Sequence, residues 1–97
     1  MVYSQQYISP DFDKFIFMGK KFSIEQTFGQ VIKALRNERR LSQEKLADTS
    51  DLDRSFISHL ERGVKQPSLI TIFQLAKALK LPVSKIMSLV EEELQSK

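Results

Sequence analysis

Two short helix signatures stand back to back between Leu41 and Gly63, and a connection of only a few residues obliges their apolar faces to close on each other. Ser42 has the side chain of an N-cap, and Leu46 and Ala47 follow at the buried positions of a first helix. Asp53 caps a second helix that buries Phe56, Ile57 and Leu60. The reversal between them, Thr49-Ser50-Asp51-Leu52-Asp53, is made of side chains that hydrogen-bond locally. Asp51 is expected at its left-handed position, which glycine would occupy at lower steric cost.

The second of these helices carries an unusual polar side. At about 100° per residue, Ser55, Ser58, His59 and Arg62 fall within roughly one third of the circumference, opposite the centre of the Phe56, Ile57 and Leu60 face. Arg54 flanks that stripe. An ordinary solvated face is more often rich in Lys and Glu. Hydroxyls, an imidazole and two guanidinium groups opposite a packed side suit the major groove of DNA, where base edges offer donors and acceptors.

The flanking sequence supplies more helices. Ser23 and Gln26 form a capping box, and Phe28, Val31, Ile32 and Leu35 recur at helical spacing as far as about Arg40. After a loop, Val64-Lys65-Gln66-Pro67, Ser68 caps an amphipathic helix bearing Leu69, Ile72, Phe73, Leu75, Ala76 and Leu79. A last helix begins near Pro82 or Ser84 and carries Val83, Ile86, Met87, Leu89, Val90 and Leu94. These are more apolar positions than one side of a small domain normally buries, so Ile86, Met87, Val90 and Leu94 are expected at the interface with a second subunit. The alternative is a helix spent entirely inside one chain. Before Ser23, the stretch Phe12 to Met18 fits either a short helix framed by Pro10 and Gly19 or a short strand, and its five apolar residues suggest that it covers the body or joins a dimer.

Size and composition narrow the class. Ninety-seven residues suffice for one small core, and 41% hydrophobic with 28% charged residues is ordinary for a soluble globular chain. Without cysteine, and with a single His, neither disulfides nor a metal site are expected. No apolar run approaches a membrane span and the polar start, Met1 to Asp13, does not read as a signal peptide, so a cytoplasmic location is expected. A net charge of +3 is weak evidence for a polyanion partner by itself. Its distribution says more: Lys33, Arg36, Arg39 and Arg40 precede the paired helices, Arg54, Arg62 and Lys65 lie in or after them, and Glu91, Glu92 and Glu93 fall in the tail.

Phe28 to Met87, about 60 of the 97 positions, resembles the Cro/C1-type (XRE) helix-turn-helix family. The resemblance rests on Leu41-Ser42-Gln43-Glu44-Lys45-Leu46-Ala47, Ile57-Ser58-His59-Leu60-Glu61-Arg62-Gly63, Pro67-Ser68-Leu69 and Ala76-Lys77-Ala78-Leu79, all in one register. Within the family, Leu52 to Ser58 with Leu60-Glu61-Arg62 is most similar to restriction-modification controller proteins. What this implies is an all-α, five-helix, lambda-repressor-like domain over residues 23–97 with a C-terminal dimerisation helix, preceded by an extension over residues 1–22. The third helix, Arg54 to Arg62, would enter the major groove, with Arg54, Ser55, Ser58 and His59 facing bases. Gln43, at a helix start, would anchor a phosphate, as would Arg62 and the loop residues Lys65, Gln66 and Ser68. Arg36 and Glu61 would form a structural salt bridge. Two departures stand out: Asp51 occupies the turn position usually held by Gly, and the N-terminal extension exceeds what the family domain requires.

The function expected is therefore sequence-specific, non-enzymatic transcriptional regulation. A homodimer would occupy an inverted-repeat operator on double-stranded DNA, repressing where the site overlaps a promoter and recruiting RNA polymerase where it lies upstream. No cofactor or small-molecule ligand is expected. The rival reading is an antitoxin-like autoregulator that grips a partner protein.

Overall fold

The computed structural model describes residues 23–96, which form five α-helices and no strand. The expectations for residues 1–22 lie outside them. Helix α1 spans Ile24–Glu38, α2 Gln43–Ser50, α3 Arg54–Glu61, α4 Leu69–Leu79 and α5 Val83–Ser96. Four of the five begin at the caps the sequence names. Ser23, Ser42, Asp53 and Ser68 each accept a backbone N–H from the first turn of their helix, and Gln26 completes the capping box at Ser23. Helix α5 starts at Val83, beside Pro82.

The helix exits share one device that composition does not advertise. Arg40, Asp51, Gly63 and Lys80 all have φ between 57° and 75°. In each case the next residue donates its backbone N–H back across the last turn: Leu41 to Arg36, Leu52 to Ala47, Val64 to His59 and Leu81 to Ala76, all at 2.9–3.0 Å. This pattern satisfies carbonyls that a helix end otherwise leaves open. Leu41, Leu52 and Leu81 then pack against the core, so each turn is anchored by an apolar side chain as well as by a hydrogen bond.

The core is built from Phe28, Ile32, Leu46, Ile57, Leu60, Leu75, Leu79, Ile86 and Val90, drawn from all five helices. Helix α1 is its rail, packing against both α3 and α5. Two glycines set the approach of α3 to that rail. A Cβ on Gly29 would lie 2.1 Å from the Leu60 carbonyl oxygen, and one on Gly63 would lie 2.8 Å from the Gln26 Cα. The end of α3 thus lies directly on the first half of α1.

Two sequence assignments change here. Ile86 is fully buried and Val90 is 2% exposed within a single chain, because α5 lies along α1 and spends that pair of positions, one turn apart, on the shared core. Neither is available to a second subunit, whereas Met87 and Leu94 are half-buried at the margin. Leu69 and Phe73, expected on the core side of α4, point outward at 69% and 56% exposure, and Ile70 joins them at 73%. The inward face of α4 is instead Thr71, Ile72, Leu75, Ala76 and Leu79.

The Thr27 hydroxyl is buried without a hydrogen-bond partner among the described residues. Exchange for valine keeps the shape and removes the stranded polar group, so Thr27→Val should raise stability by about 1 kcal/mol, or roughly 4–8 °C in Tm. Thermal unfolding followed by circular dichroism tests this, and a lower Tm would mean that the hydroxyl has a partner in solution.

Candidate DNA-binding interface

The end of α3 is tied to α1 by a buried ion pair. Arg36, in the last turn of α1, donates from Nε to Glu61 Oε2 at 2.6 Å and from Nη2 to Glu61 Oε1 at 3.0 Å. Its Nη1 donates to the Leu41 carbonyl at 2.8 Å. The Arg36 guanidinium is raised further above its ordinary value, chiefly by the hydrogen bond to Glu61, so it stays charged at any pH at which the protein is folded. One side chain therefore joins α1, the α1–α2 turn and the end of α3.

Gln43 belongs to the same node. Its Nε2 donates to Glu61 Oε1 at 3.0 Å and it is half-buried, so one of its two amide hydrogens is committed within the protein. The short step from Ser42 places Gln43 on the first turn of α2 over the end of α3, where the Glu61 carboxylate is the nearest strong acceptor. At the other end of α2, Gln74 of α4 donates to the Ser50 carbonyl at 3.2 Å. Both ends of α2 are thus fixed from outside it.

Helix α3 turns Ile57, Leu60 and Glu61 inward and rests Phe56 at the margin of the core. Arg54 and Ser55 are exposed, and Ser58 and His59 are half-exposed. All four residues expected to face bases therefore reach solvent from one short helix. Ser55 is partly committed: its hydroxyl donates to the Asp53 carboxylate, which also accepts the Ser55 backbone N–H at 3.0 Å. The hydroxyl oxygen is left as an acceptor for a base-edge donor. The remaining positions lie just beyond the helix. Arg62, expected from sequence as the last residue of α3, is its exposed C-cap, one residue past the helix end at Glu61. Lys65 and Gln66 are exposed in the following loop, where Gln66 Nε2 donates to Glu25 Oε2 at 3.4 Å. Ser68 is exposed but caps α4, and its hydroxyl shares a 3.0 Å hydrogen bond with that of Thr71.

Asp53 is a carboxyl whose titration is shifted at this surface. The Ser55 hydroxyl, then the Ser55 and Phe56 backbone N–H groups and the charge of His59, hold its carboxyl below the usual carboxylate range. A depressed folded-state value means that the capping contribution is complete above the unfolded value of about 4 and disappears as pH falls through the folded one. Wild-type Tm should therefore drop more steeply below pH 4 than that of Asp53→Asn, which caps without titrating. Parallel acid limbs in the two proteins would remove Asp53 from the account.

Sequence reasoning missed the exposed Leu69, Ile70 and Phe73 cluster. The signal was present: Leu69 and Ile70 come in the first turn of α4, about 100° apart, and cannot both share the line set by Leu75 and Leu79. It also missed Gly29, since an isolated glycine in a helix reads as a weak position until its neighbour is known.

A short capped helix laid across the start of a partner, with its polar side outward and its buried side locked to a third helix, defines a helix-turn-helix protein. The family model described as Helix-turn-helix matches residues 32–86, more than half of the chain. The chain belongs to this family, in its Cro/C1-type (XRE) branch. Among curated relatives, the immunity repressor protein of Bacillus phage phi105 is 44% identical over 70 residues, covering 69% of this chain and 49% of the repressor, so the chain spans about half the length of that relative. Among solved structures, the restriction-modification controller protein C.AhdI from Aeromonas hydrophila aligns with a TM-score of 0.65 at 40% identity, over 67% of this chain and 98% of that one. The C.Esp1396I controller tetramer, in complex with its natural 35 base-pair operator, aligns with a TM-score of 0.70 at 28% identity, over 74% and 95% of the two chains.

Proposed function

We propose that this protein is a cytoplasmic, sequence-specific DNA-binding transcriptional regulator that reads an operator with α3. The observation that carries the reading is the division of α3 into a side fixed by the core and by Arg36, and a side of Arg54, Ser55, Ser58 and His59 open to solvent. Its relatives are named as a repressor and as controller proteins, one of them in complex with operator DNA. Arg54 donates bidentately to guanine O6 and N7, a pairing worth about 1–3 kcal/mol of discrimination. Arg62 and Lys65 supply phosphate contacts. Gln43 holds Glu61 and thereby sets the seat of α3.

The regulator acts as a homodimer on an inverted repeat whose half-sites lie roughly one helical turn apart. Leu69, Ile70 and Phe73 form the apolar surface for the second copy, in place of Ile86 and Val90. A two-fold contact lets this one patch meet itself. Three side chains fall short of the ~800 Å² per partner of a standard interface, so the dimer dissociates at low concentration and occupancy follows protein level. Bound over a promoter it represses, and bound just upstream it recruits RNA polymerase.

Selection from random duplexes at a stated salt concentration gives the operator and its spacing. Arg54→Ala should then relax preference at one position per half-site by about 1–3 kcal/mol, while Lys65→Ala weakens all sequences evenly and lowers the salt slope by about one. Selected sequences unchanged by Arg54→Ala would overturn the assignment. Sedimentation of Phe73→Glu should show monomer at concentrations where the wild type is dimeric. A tight, equimolar non-self partner recovered in place of the self-dimer would favour the antitoxin-like reading.

A further inference from the structure

Helix α3 opens with a side chain whose hydrogen-bonding polarity is already set. Ser55 is exposed, and its hydroxyl has a single hydrogen to give and two lone pairs to offer. That hydrogen goes to Asp53 Oδ2, the same oxygen that accepts the Ser55 backbone N–H at 3.0 Å. These groups hold the Asp53 carboxyl below its usual range, so it is ionised at neutral pH and has no hydrogen to return. A hydrogen bond to an ionised acceptor is roughly twice as strong as one between neutral groups, and it strengthens further where water is excluded, as between a helix and base edges. What Ser55 has left for a ligand is its lone pairs.

We propose that Ser55, with its polarity fixed by Asp53, selects a base that presents an amino group in the major groove: adenine through N6 or cytosine through N4, against guanine and thymine. The inference rests on the reading of α3 as the DNA-reading helix and narrows that reading at one base. Guanine offers O6 and N7 there and thymine O4, all acceptors. Facing either base, the Ser55 oxygen meets another lone pair unless its hydrogen leaves Asp53, and the carboxylate then loses a charge-assisted partner. Ser55 is the specificity-determining residue, and Asp53 is a positioning residue that acts through it. A carboxylate can also accept cytosine N4 directly. Replacing Ser55 separates the two routes.

Selection from random duplexes at fixed salt, run on the wild type, Ser55→Ala and Asp53→Asn, tests this. Ser55→Ala should flatten one position per half-site, where the wild type prefers adenine or cytosine by about fivefold or more, the cost of one unmade hydrogen bond. Asp53→Asn keeps the helix cap but offers the hydroxyl only a neutral acceptor, and its amide can donate to the Ser55 oxygen. The ratio of adenine or cytosine to guanine or thymine should then fall roughly threefold. Each ratio is taken within one protein, so a general change in affinity on losing a negative charge does not enter. Deleting the amino group from the selected base, with purine in place of adenine or 2-pyrimidinone in place of cytosine, should weaken the wild type about fivefold more than it weakens Ser55→Ala. A wild-type preference for guanine or thymine at that position, a selection unchanged by Ser55→Ala, or full discrimination kept by Asp53→Asn would each overturn the proposal, while the preference set by Arg54 would leave the reading of α3 standing. A selection that returns no preferred sequence removes that reading, and this proposal with it.

Discussion

Arg36→Ala is expected to lower the stability of the protein by about 3–5 kcal/mol, the cost of leaving one member of a buried ion pair alone. For a chain of this size that is a fall of roughly 15–30 °C in Tm, a large share of a total near 5–15 kcal/mol. The size of the loss follows from what the substitution strands. The Glu61 carboxylate keeps only the Gln43 amide at 3.0 Å, and the Leu41 carbonyl loses its 2.8 Å donor. A double variant, Arg36→Met with Glu61→Leu, removes both charges and should recover most of the loss, since a buried pair gains little over well-packed apolar replacements. Urea denaturation of the three proteins decides the matter. A single-variant cost under about 1 kcal/mol would demote the pair to the standing of an exposed salt bridge.

Gly29→Ala separates two opposed physical effects at one position. Helix propensity favours alanine by about 1 kcal/mol in the middle of a helix such as α1. Steric overlap opposes it, because the new methyl group would meet the Leu60 and Glu61 carbonyl oxygens at 2.1 and 2.8 Å, and both are main-chain atoms that cannot swing aside. Overpacking of this kind costs about 3 kcal/mol, so the net expectation is a loss of about 2 kcal/mol or more. Operator affinity should fall with it, since α3 can relieve the overlap only by lifting off α1 and turning its outward side. A variant as stable as the wild type, with unchanged affinity, would mean that the two helices do not approach this closely.

Much of this architecture was legible in the chain because local chemistry and tertiary packing agree. Ser23, Ser42, Asp53 and Ser68 each cap the helix that begins after them, and the apolar spacing in α1, α2 and α3 marks the faces that meet. Asp51 takes the left-handed conformation expected of it, with φ of 60°. Periodicity failed where it could not say which neighbour covers a face. In α5 an apolar surplus looked like an interface, yet Ile86 and Val90 are consumed by α1, a long-range contact that no window of sequence contains. In α4 the opposite happened: Leu69 and Phe73 looked interior, and no helix among the described residues lies over them. The hydrogen bond of Gln43 was illegible for a related reason: its partner, Glu61, is eighteen residues away.

The left-handed exits at Arg40, Asp51 and Lys80 are each occupied by a residue with a Cβ, although glycine suits that conformation. Steric relief of roughly 1–2 kcal/mol, less the extra backbone entropy glycine loses, leaves a modest gain on exchange, larger at Lys80 than at Asp51, whose side chain already tolerates the bend. The molecule thus carries headroom in its bends. A parent toughened at these loops, away from both the interior and the outward side chains of α3, could absorb a damaging change such as Arg36→Ala and stay folded. Affinity and folding could then be measured separately.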